Sequence, residues 1–181
     1  MSLADDRFAI YETLAQYCRG VDRMDAELTL ACFLEEATIE VSGLFEGTPA
    51  EYVAWLWPVH GAMLGHTHAV SNIIVEIQGD TAASESYVAL TLRMNLGDEL
   101  VDVSGKARCL DTWRRAANGS WQISARMTVS DLARVDPVEL RAEVNSVLSP
   151  QRDGLRRLRG RRDRTDHSYE LLTVGTQVRG S

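Results

Sequence analysis

Three dipeptides that favour tight turns divide residues 67–131 into four long segments, and this spacing constrains the fold more than any other feature. The dipeptides are Gly79-Asp80, Gly97-Asp98 and Asn118-Gly119. The segments that they separate have the period-two character of strands: 67–77, 81–96, 100–115 and 120–131. Because such turns join antiparallel strands, the sequence predicts a four-stranded antiparallel meander.

Helical signals precede the meander. From Asp5 onward apolar residues recur at helical spacing, and Gly20 is expected to weaken this helix near its end. A short helix at 26–33 and a short strand in ATIEVSG follow. A capping box between Thr48 and Glu51, with proline at the first helical position, predicts a helix to about residue 63 that bends at Pro58.

A second capping box, from Asp136 to Glu139, predicts another helix at 137–148. A sheet of long antiparallel strands with helices on one face is an α+β architecture. If the sheet curls around the N-terminal helices, its concave face encloses a pocket.

Charge is unevenly distributed along the 181 residues. Residues 1–150 carry 11 basic and 22 acidic side chains, whereas residues 151–181 carry 8 and 4. The acidic body argues against nucleic acid as a partner. The basic end is compatible with an RNA- or phosphate-binding arm, but its interleaved aspartates and leucines favour docking on its own or a neighbouring subunit. We therefore divide the chain into one domain, 1–150, and an arginine-rich extension, 151–181.

The cysteines and the N-terminus indicate a cytoplasmic protein. Cys18, Cys32 and Cys109 occur singly, as expected of buried thiols in a reducing compartment. The N-terminus is acidic where a signal peptide would be basic, and no stretch approaches the roughly 18 apolar residues of a membrane span. No membrane partner is expected.

Two histidines lie at the start of the first meander strand. Strand alternation places His66, His68 and Asn72 on one face. A lone His-x-His pair without a further His or Cys cluster is weak evidence for zinc, so neither a metal nor a cofactor is expected. The alternative for both histidines is a solvated side chain or one bonded to the backbone.

Three stretches of the sequence, in this order, resemble the SnoaL-like branch of the nuclear transport factor 2 (NTF2-like) fold. They are YCRGVDRMDAELTLACFLEEATIEVSG, HAVSNIIVEIQGDTAASES and GKARCLDTWRRAANGSWQISAR. The resemblance covers roughly residues 5–131. It implies an α+β cone in which a curved antiparallel sheet wraps around the N-terminal helices and encloses a pocket.

The resemblance also implies a proton-transfer pair. Dehydratase and dehydrochlorinase members share a His-Asp pair, whose positions fall on His68 of HAVSN and Asp22 of GVDRMD. A carboxylate bonded to one imidazole nitrogen leaves the other free as a general base. Tyr17 matches a tyrosine that could donate a hydrogen bond to a substrate carbonyl. The alternatives are a helix-end aspartate and a core tyrosine, and the two residues converge only if the helix ends near Gly20.

Two departures from the family pattern limit this transfer. Steroid isomerase members place their general base after ATVE, where this chain has the apolar Val41, so isomerisation by that route is disfavoured. A dehydratase member has a second histidine on a later strand, where the stretch GKARCLD has none. Asp111 or Arg108 could take its place if either side chain faces the pocket.

Five residues are predicted to bind the substrate: Trp55, Trp57, His66, Asn72 and Asp111. Aromatic lining would favour a flat apolar ring, and core packing is the alternative for both tryptophans. We therefore expect a cofactor-independent lyase or isomerase, foremost a dehydratase, acting on a small apolar cyclic substrate of polyketide, steroid or terpenoid type. The alternatives are a non-catalytic small subunit of a ring-hydroxylating dioxygenase and a ligand-binding module.

Two expectations concern surfaces. Relatives form trimers through the outer face of the meander, and SYVALTLRM and WQISARMTV leave apolar residues there, so a homotrimer is expected. The extension contains more apolar residues than a solvated tail: Leu155, Leu158, Tyr169, Leu171 and Leu172. It is therefore expected to dock over the pocket mouth or across a subunit boundary.

Overall fold

The computed structural model describes residues 2–138 and 160–172. The elements in chain order are α1 Leu3–Asp22, α2 Ala26–Ala31, β1 Phe33–Val41, β2 Phe45–Gly47, α3 Pro49–Gly61, β3 Gly65–Gln78, β4 Thr81–Leu96, β5 Glu99–Arg115, β6 Trp121–Pro137 and α4 His167–Leu172. Within these ranges no helix combines the length and the apolar character needed to cross a bilayer.

The six strands form one curved, open sheet in the order β2-β1-β6-β5-β4-β3. The antiparallel meander is confirmed, because β3, β4, β5 and β6 pair in succession. The sheet is nevertheless mixed, since β1 pairs in parallel with β6. Helices α1 and α3 pack against it, which confirms the α+β class.

The hairpin turns form where the dipeptides predicted them. Gly79, Gly97 and Gly119 have φ values of 59°, 62° and 84°. Glycine populates this left-handed region without the steric cost that a Cβ imposes. The turn glycines therefore set the positions of the hairpin turns between the long strands.

The predicted start of a helix at Pro137 is wrong. Residue 137 ends β6 and pairs with Val101, and the Val138 N–H donates to the Leu100 carbonyl. Pairing with the equally long β5 outweighs the local capping signal in Asp136-Pro137. The rest of the predicted helix, 139–148, lies outside the described residues.

Helix α1 ends at Asp22, close to Gly20 as the sequence predicted. The glycine serves close packing, because a Cβ at residue 20 would lie 2.5 Å from Thr29 Oγ1 and 2.9 Å from the Thr29 backbone nitrogen. Helix α2 therefore packs tightly against α1. The predicted capping box of α3 is present, with Thr48 and Glu51 each accepting a backbone N–H, and α3 continues through Pro58.

Strand β3 contains an irregularity that the sequence did not predict. Asn72 has a φ of 50°, and the pairing with β4 shifts between Ser71 and Ile74. A bulge of this kind moves the following side chains to the opposite face. Ile74 is accordingly 63% exposed, whereas Val75 is buried in the core. The predicted alternation is therefore wrong beyond Ser71.

Residues 160–172 dock on the helical side of the domain, which confirms the predicted docking for this part of the extension, whereas its predicted place over the pocket mouth or across a subunit boundary stays a prediction. The Arg162 guanidinium donates to the carbonyls of His60 and Met63 at 2.8 and 2.7 Å. The contact is more polar than predicted, since Leu171 and Leu172 remain 72% and 61% exposed. Leu155 and Leu158 lie outside the described residues.

Candidate active site

Asp22 and His68 form the contact that the sequence predicted. His68 Nδ1 lies 2.8 Å from Asp22 Oδ1, and the His68 backbone N–H donates to Asp22 Oδ2 at 3.1 Å. Both side chains are largely buried, with exposed fractions of 12% and 13%. Because a carboxylate only accepts hydrogen bonds, Nδ1 carries a proton, and in the neutral imidazole Nε2 then keeps a lone pair.

His68 faces a cavity of about 320 Å³ between the helices and the concave face of the sheet. Most of its lining is apolar, with Leu56, Val59 and Met63 on the helical side and Val88, Leu90 and Leu92 on β4. Asp22 is not part of this lining and contacts the imidazole from behind. The volume lies at the lower end of the range for small-molecule sites and suits a small ring system.

Two tyrosines supply hydroxyl groups to the cavity. Tyr17 and Tyr52 both line it, and their hydroxyl oxygens lie 2.7 Å apart. Burial raises the pKa of both phenols, so both are protonated. When one hydroxyl donates to the other, the second keeps a proton that it can donate to a ligand. The sequence indicated Tyr17 and missed Tyr52.

A buried ion pair lies beneath Tyr17. Arg126 donates from Nε and Nη2 to Asp111 at 2.7 and 2.8 Å, and its guanidinium carbon lies 4.2 Å from the Tyr17 ring centroid. Asp111 is thus occupied by Arg126 and does not line the cavity that contains His68. Arg108 is not available for the place of a second histidine either, because its guanidinium pairs with Asp131 and Glu85.

Three histidines cluster beside the cavity. The ring centroid of His60 lies 4.3 Å from that of His66 and 5.7 Å from that of His68. His66 Nε2 lies 3.1 Å from the Val21 carbonyl oxygen, and its Nδ1 lies 3.3 Å from Arg162 Nη1. A carbonyl can only accept and a guanidinium can only donate, so His66 is neutral and protonated at Nε2. It lies outside the cavity lining, contrary to its predicted role.

His60 lines the cavity and was missed by the sequence analysis. Burial, reinforced by His66, His68 and Arg162, lowers its pKa to about 3. A periodic signal was available, because Tyr52, Leu56 and His60 are spaced four residues apart on one face of α3. All three are buried. Among the described residues, no group of His, Cys, Asp and Glu is arranged to hold a metal ion.

A model of the SnoaL-like domain matches residues 2–127. The chain belongs to the SnoaL-like domain family. A search of curated protein sequences finds no match.

Solved structures share the fold of this SnoaL-like domain. A scytalone dehydratase-like protein from Novosphingobium aromaticivorans is 20% identical, with 77% of this chain and 91% of that chain covered and a TM-score of 0.62. The hexachlorocyclohexane dehydrochlorinase LinA-type3 from Novosphingobium barchaimii is 17% identical, with coverages of 76% and 93% and a TM-score of 0.64. A protein of unknown function with a cystatin-like fold from Nostoc punctiforme is 26% identical, with coverages of 72% and 96% and a TM-score of 0.60.

The remaining predicted binding residues of the SnoaL-like domain divide clearly. Trp55 lines the cavity and stacks on Phe45, with ring centroids 5.3 Å apart. Trp57 does not line it, and its indole N–H donates to the Met24 carbonyl. Asn72 is exposed at the β3 bulge. Of the five predicted binding residues, only Trp55 therefore reaches the cavity.

Proposed function

We propose that this SnoaL-like domain is a lyase that removes water from a small apolar cyclic ketone by acid–base chemistry, without a cofactor. The observation that carries the proposal is the Asp22–His68 contact, which presents the Nε2 lone pair of His68 to an apolar cavity. A carboxylate behind the imidazole stabilises the imidazolium that forms when Nε2 takes a proton.

The proposed reaction uses the groups of the cavity in two steps. His68 Nε2 removes a proton from the carbon next to the substrate carbonyl, and the electron pair moves onto the carbonyl oxygen as an enolate. The free O–H of the Tyr17–Tyr52 pair donates a hydrogen bond to that oxygen. The enolate then re-forms the carbonyl and expels the hydroxyl from the neighbouring carbon. The imidazolium returns its proton to this hydroxyl, which leaves as water.

Two further observations support elimination over isomerisation. Val41 lines the cavity at the place where the resemblance would put the base of a steroid isomerase, and its side chain cannot transfer a proton. The names of two structural neighbours, a scytalone dehydratase-like protein and a hexachlorocyclohexane dehydrochlorinase, both describe eliminations. The cavity volume of about 320 Å³ favours a substrate of one or two rings.

The probe 3-hydroxy-1-tetralone tests the proposal, because loss of water converts this bicyclic β-hydroxyketone into fluorescent 1-naphthol. We expect the wild type to form 1-naphthol, and His68→Gln to lower kcat by about 10²- to 10⁴-fold. His167→Gln is the matched control, since His167 lies on α4, outside the cavity lining.

Proton abstraction is measured separately by NMR, as the exchange of the C2 hydrogens of 1-tetralone in D₂O. If the wild type accelerates neither this exchange nor 1-naphthol formation beyond the His68→Gln protein, the lyase proposal is wrong. Binding of the probes without either reaction would identify a ligand-binding module instead.

A further inference from the structure

The cavity contains a second imidazole whose hydrogen-bonding capacity is unused within the domain. His60 is only 5% exposed, yet its Nδ1 is buried without a hydrogen-bond partner among the described residues. Buried polar groups are normally paired, so the enclosed and unpaired Nδ1 restricts which tautomer the His60 ring can adopt. By contrast, His66 and His68 both have partners for Nδ1.

The surroundings of His60 determine its tautomer. An unpaired buried N–H is rarer in folded proteins than an unpaired acceptor, so the ring proton belongs on Nε2 rather than on Nδ1. Nδ1 is enclosed, and no hydrogen bond of Nε2 is found within residues 2–138 and 160–172. Since Nδ1 is enclosed and His60 lines the cavity, Nε2 is the ring nitrogen left to donate to a ligand there.

His60 and His68 have complementary roles at one end of the cavity. The centroid distance of 5.7 Å leaves both rings within reach of one substrate fragment. His68 offers a lone pair for a C–H proton, whereas His60 offers a donor for an oxygen. Neighbouring carbons of a ring, one bearing the acidic hydrogen and the next bearing the leaving oxygen, would match this arrangement.

We propose that His60 is a substrate-binding residue that donates a hydrogen bond from Nε2 to the leaving oxygen of the cyclic substrate. This inference rests on the proposed function and names the group that selects a β-oxygenated ketone over the plain ketone. The hydrogen bond positions the leaving group beside His68 and favours its departure as charge develops on the oxygen.

The neutral state of His60 is maintained from three directions. His66 and His68 on β3 and Arg162 of the C-terminal segment all lie near its ring, and they add to burial in lowering its pKa to about 3. Its donor role should therefore stay constant between about pH 5 and about pH 8.

Binding to an inactive protein tests this role separately from turnover. In the His68→Gln background, calorimetry compares 3-hydroxy-1-tetralone with 1-tetralone, which lacks the hydroxyl group. We expect the hydroxylated probe to bind about fivefold more tightly, as one neutral hydrogen bond allows. Adding His60→Leu should bring the ratio to about one, whereas adding His60→Gln should preserve part of it because the amide keeps an N–H donor.

His66→Gln in the same background is the matched control, since His66 is a neighbouring histidine outside the cavity lining. The inference would be overturned if the affinity ratio of the two probes persisted with His60→Leu, or if His66→Gln lowered it equally. It would also be overturned if the His68→Gln protein showed no preference between the probes. The lyase proposal instead fails through absent turnover and absent C2 exchange in the wild type, so the two failures are distinguishable.

Discussion

The Asp22 carboxylate contacts His68 twice, at the imidazole Nδ1 and at the backbone N–H. One oxygen serves each contact, so the carboxylate fixes both the ring and the strand that carries it. This joins the last residue of α1 to the start of β3. The direction of the ring follows from the packing of the helix on the sheet, and a ligand is not needed to set it.

Asp22→Asn tests the charge of this contact. The amide retains an acceptor but cannot stabilise an imidazolium as a carboxylate does, so we expect kcat for 1-naphthol formation to fall by about 10²- to 10⁴-fold. KM should change little, because Asp22 does not line the cavity. Asp98→Asn is the control, since Asp98 lies exposed in the turn between β4 and β5, outside the cavity lining. A kcat within twofold of the wild type for Asp22→Asn would contradict the assigned role.

The tyrosine pair predicts a non-additive mutant series. Tyr17→Phe and Tyr52→Phe each leave one hydroxyl whose proton can still reach the carbonyl, so we expect each to lower kcat by about tenfold or less. The double variant should lose more than the product of the two single effects. A kinetic double-mutant cycle measures this coupling, and strictly multiplicative effects would show that only one hydroxyl acts.

Local signals explain why most of the sheet could be predicted. Alternation and turn glycines such as Gly79 and Gly97 act over a few residues, and they defined the meander. The parallel pairing of β1 with β6 could not be predicted this way, since Thr38 and its partner Ala125 are far apart in sequence. The bulge at Asn72 was also missed, because only the pairing with β4 reveals it.

The candidate site divides in a similar manner. A family resemblance identified Asp22, His68 and Tyr17, because motifs can be matched by their positions along the chain. His60 and Tyr52 were missed because they come from α3, a helix in which no motif drew attention to polar residues. The pairing of Asp111 with Arg126 could not be predicted from the sequence, because it follows from the β5–β6 register, which brings the two side chains together in the interior.

Burial of neutral His60 predicts acid sensitivity of the fold. Its pKa is lowered to about 3 from an ordinary 6.5, so the unfolded chain binds a proton at a higher pH than the folded domain does. The contribution is therefore fully present above about pH 6.5 and is lost as pH falls towards about 3. Between about pH 7 and about pH 5, the free energy of unfolding should fall on the order of 2 kcal/mol more in wild type than in His60→Gln. Urea unfolding at both pH values measures these free energies. An equal change between the two pH values in wild type and His60→Gln would contradict the prediction.

Exposed apolar residues on the outer sheet face predict self-association. Ile74 on β3, Tyr87 on β4 and Met127 on β6 are 63%, 39% and 45% exposed. We propose a homotrimer, with a light-scattering mass about three times the 20.1 kDa of one chain. Tyr87→Lys should dissociate it by burying a charge. Leu171→Lys, on the exposed face of α4, should not, and a wild-type monomer at micromolar concentration would exclude the trimer.

The local stability of the C-terminal segment, residues 160–172, should depend on individual arginines. Arg164 donates to both oxygens of Asp25, at 2.9 and 2.8 Å, and the Tyr169 hydroxyl donates to the same carboxylate. Burial acts to raise the pKa of Asp25, but these hydrogen bonds outweigh it and hold the pKa at about 2. The carboxylate is thus the acceptor that anchors the segment to the start of α2.

Arg164→Gln should release this anchor, because a neutral amide cannot replace two charge-assisted hydrogen bonds. We expect amide exchange across residues 162–169 to become about fivefold faster, because an exposed ion pair contributes only modestly to local stability. Arg161→Gln is the matched control, because the Arg161 side chain contacts only Thr165 within the segment. The Arg164 effect should also fade as pH falls from about 4 to about 2, where protonation of Asp25 removes the acceptor in both proteins. Equal exchange in the two variants at neutral pH would show that the segment is held by contacts other than the one between Arg164 and Asp25.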